Sequence, residues 1–458
     1  MTIEKDLVSH ILETSFNDFD AATVSYAKIR IIDTIGAMLG GLHSNGADMM
    51  LDMVKEWGGK KESTILGIGD KVPAASAVLA MGVMARSNDF EVAGGPDING
   101  AKSPGHYSAT SVPTALAVTE KLGLSGRDLI TALILGDDLA VRIGAAGAGP
   151  WDLGWDPAAT CPRFAAAAIA GKLMGLDQDR MLNALGIVLT QISGTMLPTM
   201  EYTHSFKISQ GLAAWNGVIS TDLAGRGFTG PFDFLFGKFG YYQQYCREVR
   251  KEVITTDLGT KYYGDEEFKL FPCCRGNHSS VETTLRLVRQ HNIDSAMVKE
   301  IQVDIAPSWK GSFLIQPFKP DQSPQAAAIL NLYYNIANII LRKDIKLEHY
   351  TEEAVTDPRI TELIQKIKIN PTVAGKRMFS RIIIRMECGG EFSDSTEVPR
   401  GDYRVAPLTP EEITSKFFTN TAFSGAISRK KSEKALNLLE HLEDQDTVTE
   451  LIRALKPS

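Results

Sequence analysis

The spacing of apolar and polar positions divides the chain into a long helical stretch, a mixed stretch and a short helical end. Residues 1 to 60 read as helical throughout, and Thr23 to Gly41 keeps apolar residues at helical spacing before stopping in a glycine pair. Ile65 to Ala85 is small and apolar, and Val112 to Gly123 opens with a proline suited to a first helical turn. Leu129 to Ala146 and Phe164 to Leu173 are alanine-rich with few β-branched residues, as tightly packed helices are. Asp177 to Met196 begins with an aspartate able to cap. Gln210 to Gly225 carries Gly211, Ala213, Ala214 and Gly217, small residues that let helices approach closely. Almost no strand alternation occurs before residue 250.

The texture changes near residue 262. Val298 to Ala306 and Ser380 to Glu387 alternate apolar and polar, and hairpin chemistry follows at Gly389 and Gly390. His278 to Gln290, Pro324 to Leu341 and Glu352 to Lys368 read as helices. After Pro407, Thr409-Pro410-Glu411-Glu412 is a capped helix start. The expected architecture is mainly α: a large all-helical domain from residues 1–261 and 401–458, with a smaller α+β domain, 262–400, inserted.

Composition narrows the partners. The 458 residues carry a net charge of −7 with a pI near 5.7, which argues against nucleic acid but leaves room for a small anionic substrate held by a local cationic cluster. No basic-then-apolar leader opens the chain, and its apolar runs fall short of a membrane span. Five cysteines, two of them adjacent and none in C-x-x-C, do not form a disulfide framework. The expectation is a reduced, cytoplasmic protein without membrane or nucleic-acid partners.

The chemistry concentrates in the loop between two of the apolar segments, where Asp89, Glu91, Asp97, Lys102 and His106 lie among glycines and prolines. Carboxylates, a lysine and a histidine on a loop anchored by two buried helices suggest proton transfer; the bland alternative is an ordinary surface turn. Lys207, just before the small-residue helix at Gln210, is placed to meet a carboxylate, although most lysines are merely solvated. In KLFPCCRGNH, from Lys269, Arg275 is able to grip a carboxylate through two bonds and His278 opens a helix; the alternative is a surface arginine beside a capping histidine. Tyr334 on an apolar helix is usually core, and Asp156 in GWDP is a turn or cap aspartate unless it serves a site. Metal and nucleotide motifs are missing from the sequence, so no cofactor is expected.

Taken in order, these segments resemble the MmgE/PrpD superfamily, which includes 2-methylcitrate dehydratase, cis-aconitate decarboxylase and iminodisuccinate epimerase. The resemblance rests on RIIDTIGAMLGG near the start, NDFE at 88–91, HYSATSVPTALAV at 106–118, KISQGLAAWNG at 207–217, GFTGP at 227–231, FPCCRGNH at 271–278, and EVPRGD with PLT near the end. It implies a helical body with an inserted α+β lid, commonly as homodimers, and a metal-free site between them. The implied functional residues are Asp89, His106, Lys207 and Tyr334 as catalytic groups, with Arg275 and His278 as the lid's basic pair. Lys269, Asp156 and Gln210 join them as candidate substrate contacts. Three positions depart from the family pattern: Ala93 where threonine is frequent, and Asp156 and Gln210 where histidine is.

The function so implied is a metal-independent hydro-lyase acting by proton transfer next to a carboxylate of a small di- or tricarboxylic acid. Alternatives are an isomerase or epimerase, a decarboxylase of the cis-aconitate type, or a non-catalytic carboxylate binder. All require that residues 106, 207, 275 and 334 converge on one anion-sized hollow.

Overall fold

The computed structural model describes residues 2–320, 322–372 and 375–457. Its helical body is built around α1 (Ala21–Gly40), α2 (Ala74–Arg86), α3 (Ser108–Leu122), α4 (Gly126–Ala146), α5 (Pro162–Leu173) and α6 (Ile208–Gly225). They share one apolar core with residues such as Ile35, Val78, Leu133, Phe164 and Ala214. Helix α5 is buried on nearly every side, which its alanines permit. Helices α2 and α6 cross at paired glycines: a Cβ on Gly82 would lie 2.7 Å from the Gly211 Cα.

The lid has its own core, with Val281, Ile301, Ile336, Ile382 and Ile384. There α7 (His278–His291), α8 (Pro324–Leu330) and α9 (Leu332–Arg342) accompany a four-stranded sheet of β1 (Val298–Ile305), β2 (Ile367–Asn370), β3 (Ser380–Met386) and β4 (Glu391–Thr396). The strand order is β4-β3-β1-β2; β1 and β2 run parallel and the other pairs antiparallel. Burial alternates along β3, with Ser380, Ile382, Ile384 and Met386 inward, as its period-two pattern requires. Tyr202 and Phe206, from the turns before α6, insert into this lid core. Near the end of the chain α10 (Pro410–Ser424) packs on α1, and Lys416 there meets Asp33 in a buried pair at 2.6 Å.

Several sequence expectations need correction. Helix α2 begins at Ala74, after Ser63–Thr64 has paired antiparallel with Lys71–Val72. Two more such two-residue ladders, 97–98 with 101–102 and 147–148 with 248–249, interrupt the body expected to be all helical. Helix α3 starts a turn earlier than its proline suggests and holds Pro113 inside. Its first N–H, on Ser108, is capped by the Asp265 carboxylate at 2.7 Å, a partner 157 positions away. The stretch from Asp177 ends its helix at Leu189. Pro324 to Leu341 breaks at Asn331, whose side chain caps α9. Glu352 to Lys368 is two short helices running into β2, because Asp357-Pro358 restarts the chain. Among the described residues no helix is long and apolar enough to cross a membrane.

Candidate active site

Arg86 is the last residue of α2, and the chain after it turns inward. Ser87 bonds back to the Val83 carbonyl at 2.7 Å, and Asn88 donates to the Gly40 carbonyl at 2.8 Å. Asp89 then takes φ +46, a left-handed conformation uncommon for a non-glycine residue. The result is a pair of carboxylates, Asp89 and Glu91, with almost no solvent access. Arg86 binds Asp89 and lies 3.3 Å from Glu91. Lys269, fully buried on the segment entering the lid, donates to the Asp89 carbonyl at 2.8 Å and to its carboxylate, and stands 3.8 Å from Glu91. Burial opposes charge on both acids. Arg86 and Lys269 prevail, holding Asp89 well below the usual carboxylate range, and Glu91 also sits below its ordinary value.

His106 completes the cluster. It has φ +64 and follows Gly105, where a Cβ would lie 2.4 Å from the Gly94 nitrogen. Its Nδ1 is 2.8 Å from Glu91 Oε1. A carboxylate only accepts, so Nδ1 donates and Nε2 is left as the basic nitrogen. The imidazole is 21% exposed, whereas Asp89 and Glu91 are sealed.

The remaining expected residues divide. Lys207 precedes α6, next to Phe206, whose ring lies 5.0 Å under the Arg86 guanidinium. Its Nζ donates to the Asn45 carbonyl at 2.6 Å and to Gln325 Oε1 of the lid at 2.7 Å. With no carboxylate against it, burial pushes the Lys207 amine down to about 7, opposed by Asp48. Arg275 binds Glu267 at 3.1 Å and the Arg400 carbonyl at 2.6 Å, and Glu267 also takes Lys102 at 3.0 Å. His278 is buried with both nitrogens engaged: Nε2 donates to the Cys273 carbonyl at 3.3 Å, and Nδ1 accepts from Arg275 at 3.3 Å. Burial, then Arg275 and Lys269, push the His278 imidazole well below its ordinary range, so it is neutral and positions Arg275.

Asp156 caps the turn Pro157–Thr160 through the Ala158 N–H at 3.0 Å. Burial raises its carboxyl, while the nearby Arg86 and His106 oppose the rise. Gln210 donates to the Ala158 carbonyl at 3.3 Å and leaves its Oε1 buried without a partner. Ala93 pairs with Glu267 through two backbone hydrogen bonds of 2.9 and 2.7 Å, a ladder that ties the loop to the segment entering the lid.

Tyr334 does not join them. It is fully buried in the lid core, its ring tilted against those of Phe318 and Tyr350, and its hydroxyl donates to the His349 carbonyl. Of the four residues expected to converge, His106, Lys207 and Arg275 belong to the network of contacts around the Asp89–Lys269 pair, and the phenol lies outside it. Arg86 was not anticipated. Its spacing of three and five residues before two acids was the available signal.

Asp89, Glu91 and His106 bring one potential ligand atom each to within 4.8 Å of one another. Both carboxylates are already neutralised by Arg86 and Lys269, so a divalent ion there would face two cations at contact distance. The donor set fits an internal ion-pair network and does not fit a metal centre.

Comparison with known proteins places the whole chain in a family. The profile of the MmgE/PrpD N-terminal domain matches residues 5–253, and that of the MmgE/PrpD C-terminal domain matches residues 271–443. The cis-aconitate decarboxylase-like protein oryM of Aspergillus oryzae is 24% identical, over 98% of this chain and 96% of its own. The cis-aconitate decarboxylase of Aspergillus terreus is 23% identical over 95% and 93%. Both halves of the chain match in order and over nearly its whole length, and the protein belongs to the MmgE/PrpD family, whose members include lyases acting on carboxylic acids.

Proposed function

We propose that the protein is a lyase that moves a proton at the carbon next to a carboxylate of a small di- or tricarboxylic acid, with His106 as the proton carrier. The observation that carries this reading is the His106–Glu91 contact, which fixes the tautomer and turns a basic Nε2 toward the solvent-reachable side of an otherwise sealed ion-pair cluster. Removing such a proton builds negative charge on the substrate, and preorganised cations stabilise it best where water is excluded. Arg86, Lys102, Lys269 and Arg275, with Lys207 in part, stand beside Asp89, Glu91, Glu267 and a burial-raised Asp156, and these cations are the groups able to meet an anion.

Elimination of water needs a second group, to protonate the departing hydroxide. Asp156, raised by burial and close enough to feel His106, supplies a carboxyl that keeps its proton more readily than an exposed one. A second reading, decarboxylation, is favoured by the names of the two Aspergillus relatives. It needs a proton donor for the carbanion left by carbon dioxide, but no acid for a leaving hydroxide.

A panel of carboxylic acids separates the readings. A new conjugated alkene without carbon dioxide marks elimination, carbon dioxide release marks decarboxylation, and solvent deuterium uptake with neither marks isomerisation. Asp156→Asn is expected to lower elimination by about 10²–10⁴-fold and to spare decarboxylation. Tight binding with no turnover or exchange on any acid would overturn the enzymatic reading.

A further inference from the structure

Arg163 lies outside the ion-pair cluster and is a deeply buried cation with no anion against it. It is the second residue of α5, 1% exposed. Its Nη1 donates to the Ser193 carbonyl and its Nη2 to Ser193 Oγ, both at 3.0 Å. Its Nε–H has no partner, and no carboxylate oxygen lies within 4.0 Å of it among the described residues. The body's other fully buried arginines each face a carboxylate, Arg30 with Asp137 at 2.5 Å and Arg142 with Asp138 at 2.8 Å, although the Arg30 Nε–H is unpartnered too. A guanidinium taken out of water without an anion is destabilising. The missing negative charge is then expected to arrive from outside.

The corner around Arg163 faces the proposed site. Ser193 adjoins Gly194, whose carbonyl accepts the Asp156 N–H at 3.1 Å, and the Met196 N–H bonds the Gly154 carbonyl at 3.0 Å. One strap thus holds both the Arg163 fork and the Asp156 backbone. The Asp156 carboxyl feels Arg86, His106 and Arg163 together, so it stands between the cluster and this lone cation. Gln210, anchored to Ala158 in the same corner, leaves a buried carbonyl oxygen unused. An unfilled donor and an unfilled acceptor beside Asp156 are what an absent polar ligand leaves behind.

We propose that Arg163 binds a second carboxylate of the substrate, distal to the carbon addressed by His106, so that the site selects dicarboxylates over monocarboxylates. The inference rests on the carboxylate-acting reading above. The carboxylate would accept from Nε–H and the adjacent Nη–H, a side-on fork that lysine cannot reproduce, and a hydroxyl on the same ligand would reach Gln210 Oε1.

The test compares wild type, Arg163→Met and Arg163→Lys by calorimetric binding and thermal melting, with succinate and tricarballylate set against butyrate. Ligand-free Arg163→Met is expected to melt at or above wild type, because an unpaired buried charge has gone. It should bind succinate and tricarballylate at least tenfold more weakly and butyrate unchanged, with Arg163→Lys intermediate. Equal dicarboxylate affinity in wild type and Arg163→Met would overturn the role of Arg163 alone, as would both variants melting far below wild type, which would make the arginine a strut for the Ser193 strap. If wild type binds none of the three acids, the carboxylate reading falls and this inference with it.

Discussion

His106 and Asp89 both hold left-handed backbone conformations, at φ +64 and +46, which cost non-glycine residues of order 1–3 kcal/mol each. What they gain is position. Asp89 turns in to meet Arg86 and Lys269, and His106 presents one nitrogen to Glu91 and the other outward. His106→Gln should therefore lower turnover by about 10²–10⁴-fold with little change in melting temperature; near-wild-type turnover would remove His106 from the chemistry. Tyr334→Phe should behave in the opposite way. It deletes a buried hydroxyl that serves the His349 carbonyl, so chemical denaturation should show a loss of about 1 kcal/mol while turnover stays unchanged. The acids and histidine of the loop were legible from residue type alone. The place of Tyr334 was not, because a phenol on an apolar helix fits a core and a cleft equally well until its neighbours are known.

Elements place these residues, and glycines set how closely the elements approach. Helix α2 delivers Arg86 and α6 starts at Lys207, and the two cross where a Cβ on Gly211 would sit 2.4 Å from the Leu79 carbonyl. Gly211→Ala must push the helices apart. The expected cost is about 1–3 kcal/mol, read from the denaturation midpoint, together with a fall in turnover as Lys207 moves relative to Arg86. Unchanged turnover at reduced stability would show that this crossing does not set the site's geometry. The small-residue spacing of α6 announced a close helix contact in the sequence, although it could not name α2 as the partner. Element ends were harder to read. The start of α3 is fixed by Asp265 and the break before α9 by Asn331, one cap remote and one local. Strand β2 escaped because four residues, Ile367 to Asn370, carry too little alternation to stand out beside a helical pattern.

Across the whole molecule, lid and body meet through polar contacts as well as apolar ones. Lys269 reaches back to Asp89, and Lys207 reaches forward to Gln325, which in turn donates to Asn88 at 2.9 Å. Lys207 gives this junction a pH dependence. Its amine falls from an ordinary 10.5 to about 7 on folding, so between those values the unfolded chain binds more protons. The contribution of Lys207 to stability is lowest below about pH 7 and recovers as pH rises toward 10.5. Lys207→Met should therefore gain stability over wild type at pH 6, and urea midpoints should show that gain shrinking by pH 10. A gain independent of pH would show that the Lys207 amine is not depressed on folding. The sequence by itself determined the mainly helical class, the change of texture into an α+β lid, the family and the loop that carries the acids and His106, because periodicity and residue type are local properties. Only the tertiary structure decided that Arg86 and Lys269 neutralise those acids, that His278 is neutral, that Tyr334 belongs to the lid core and that Arg163 is left without an anion. Those outcomes depend on which distant side chains share a space without water, and no spacing along one chain encodes that directly.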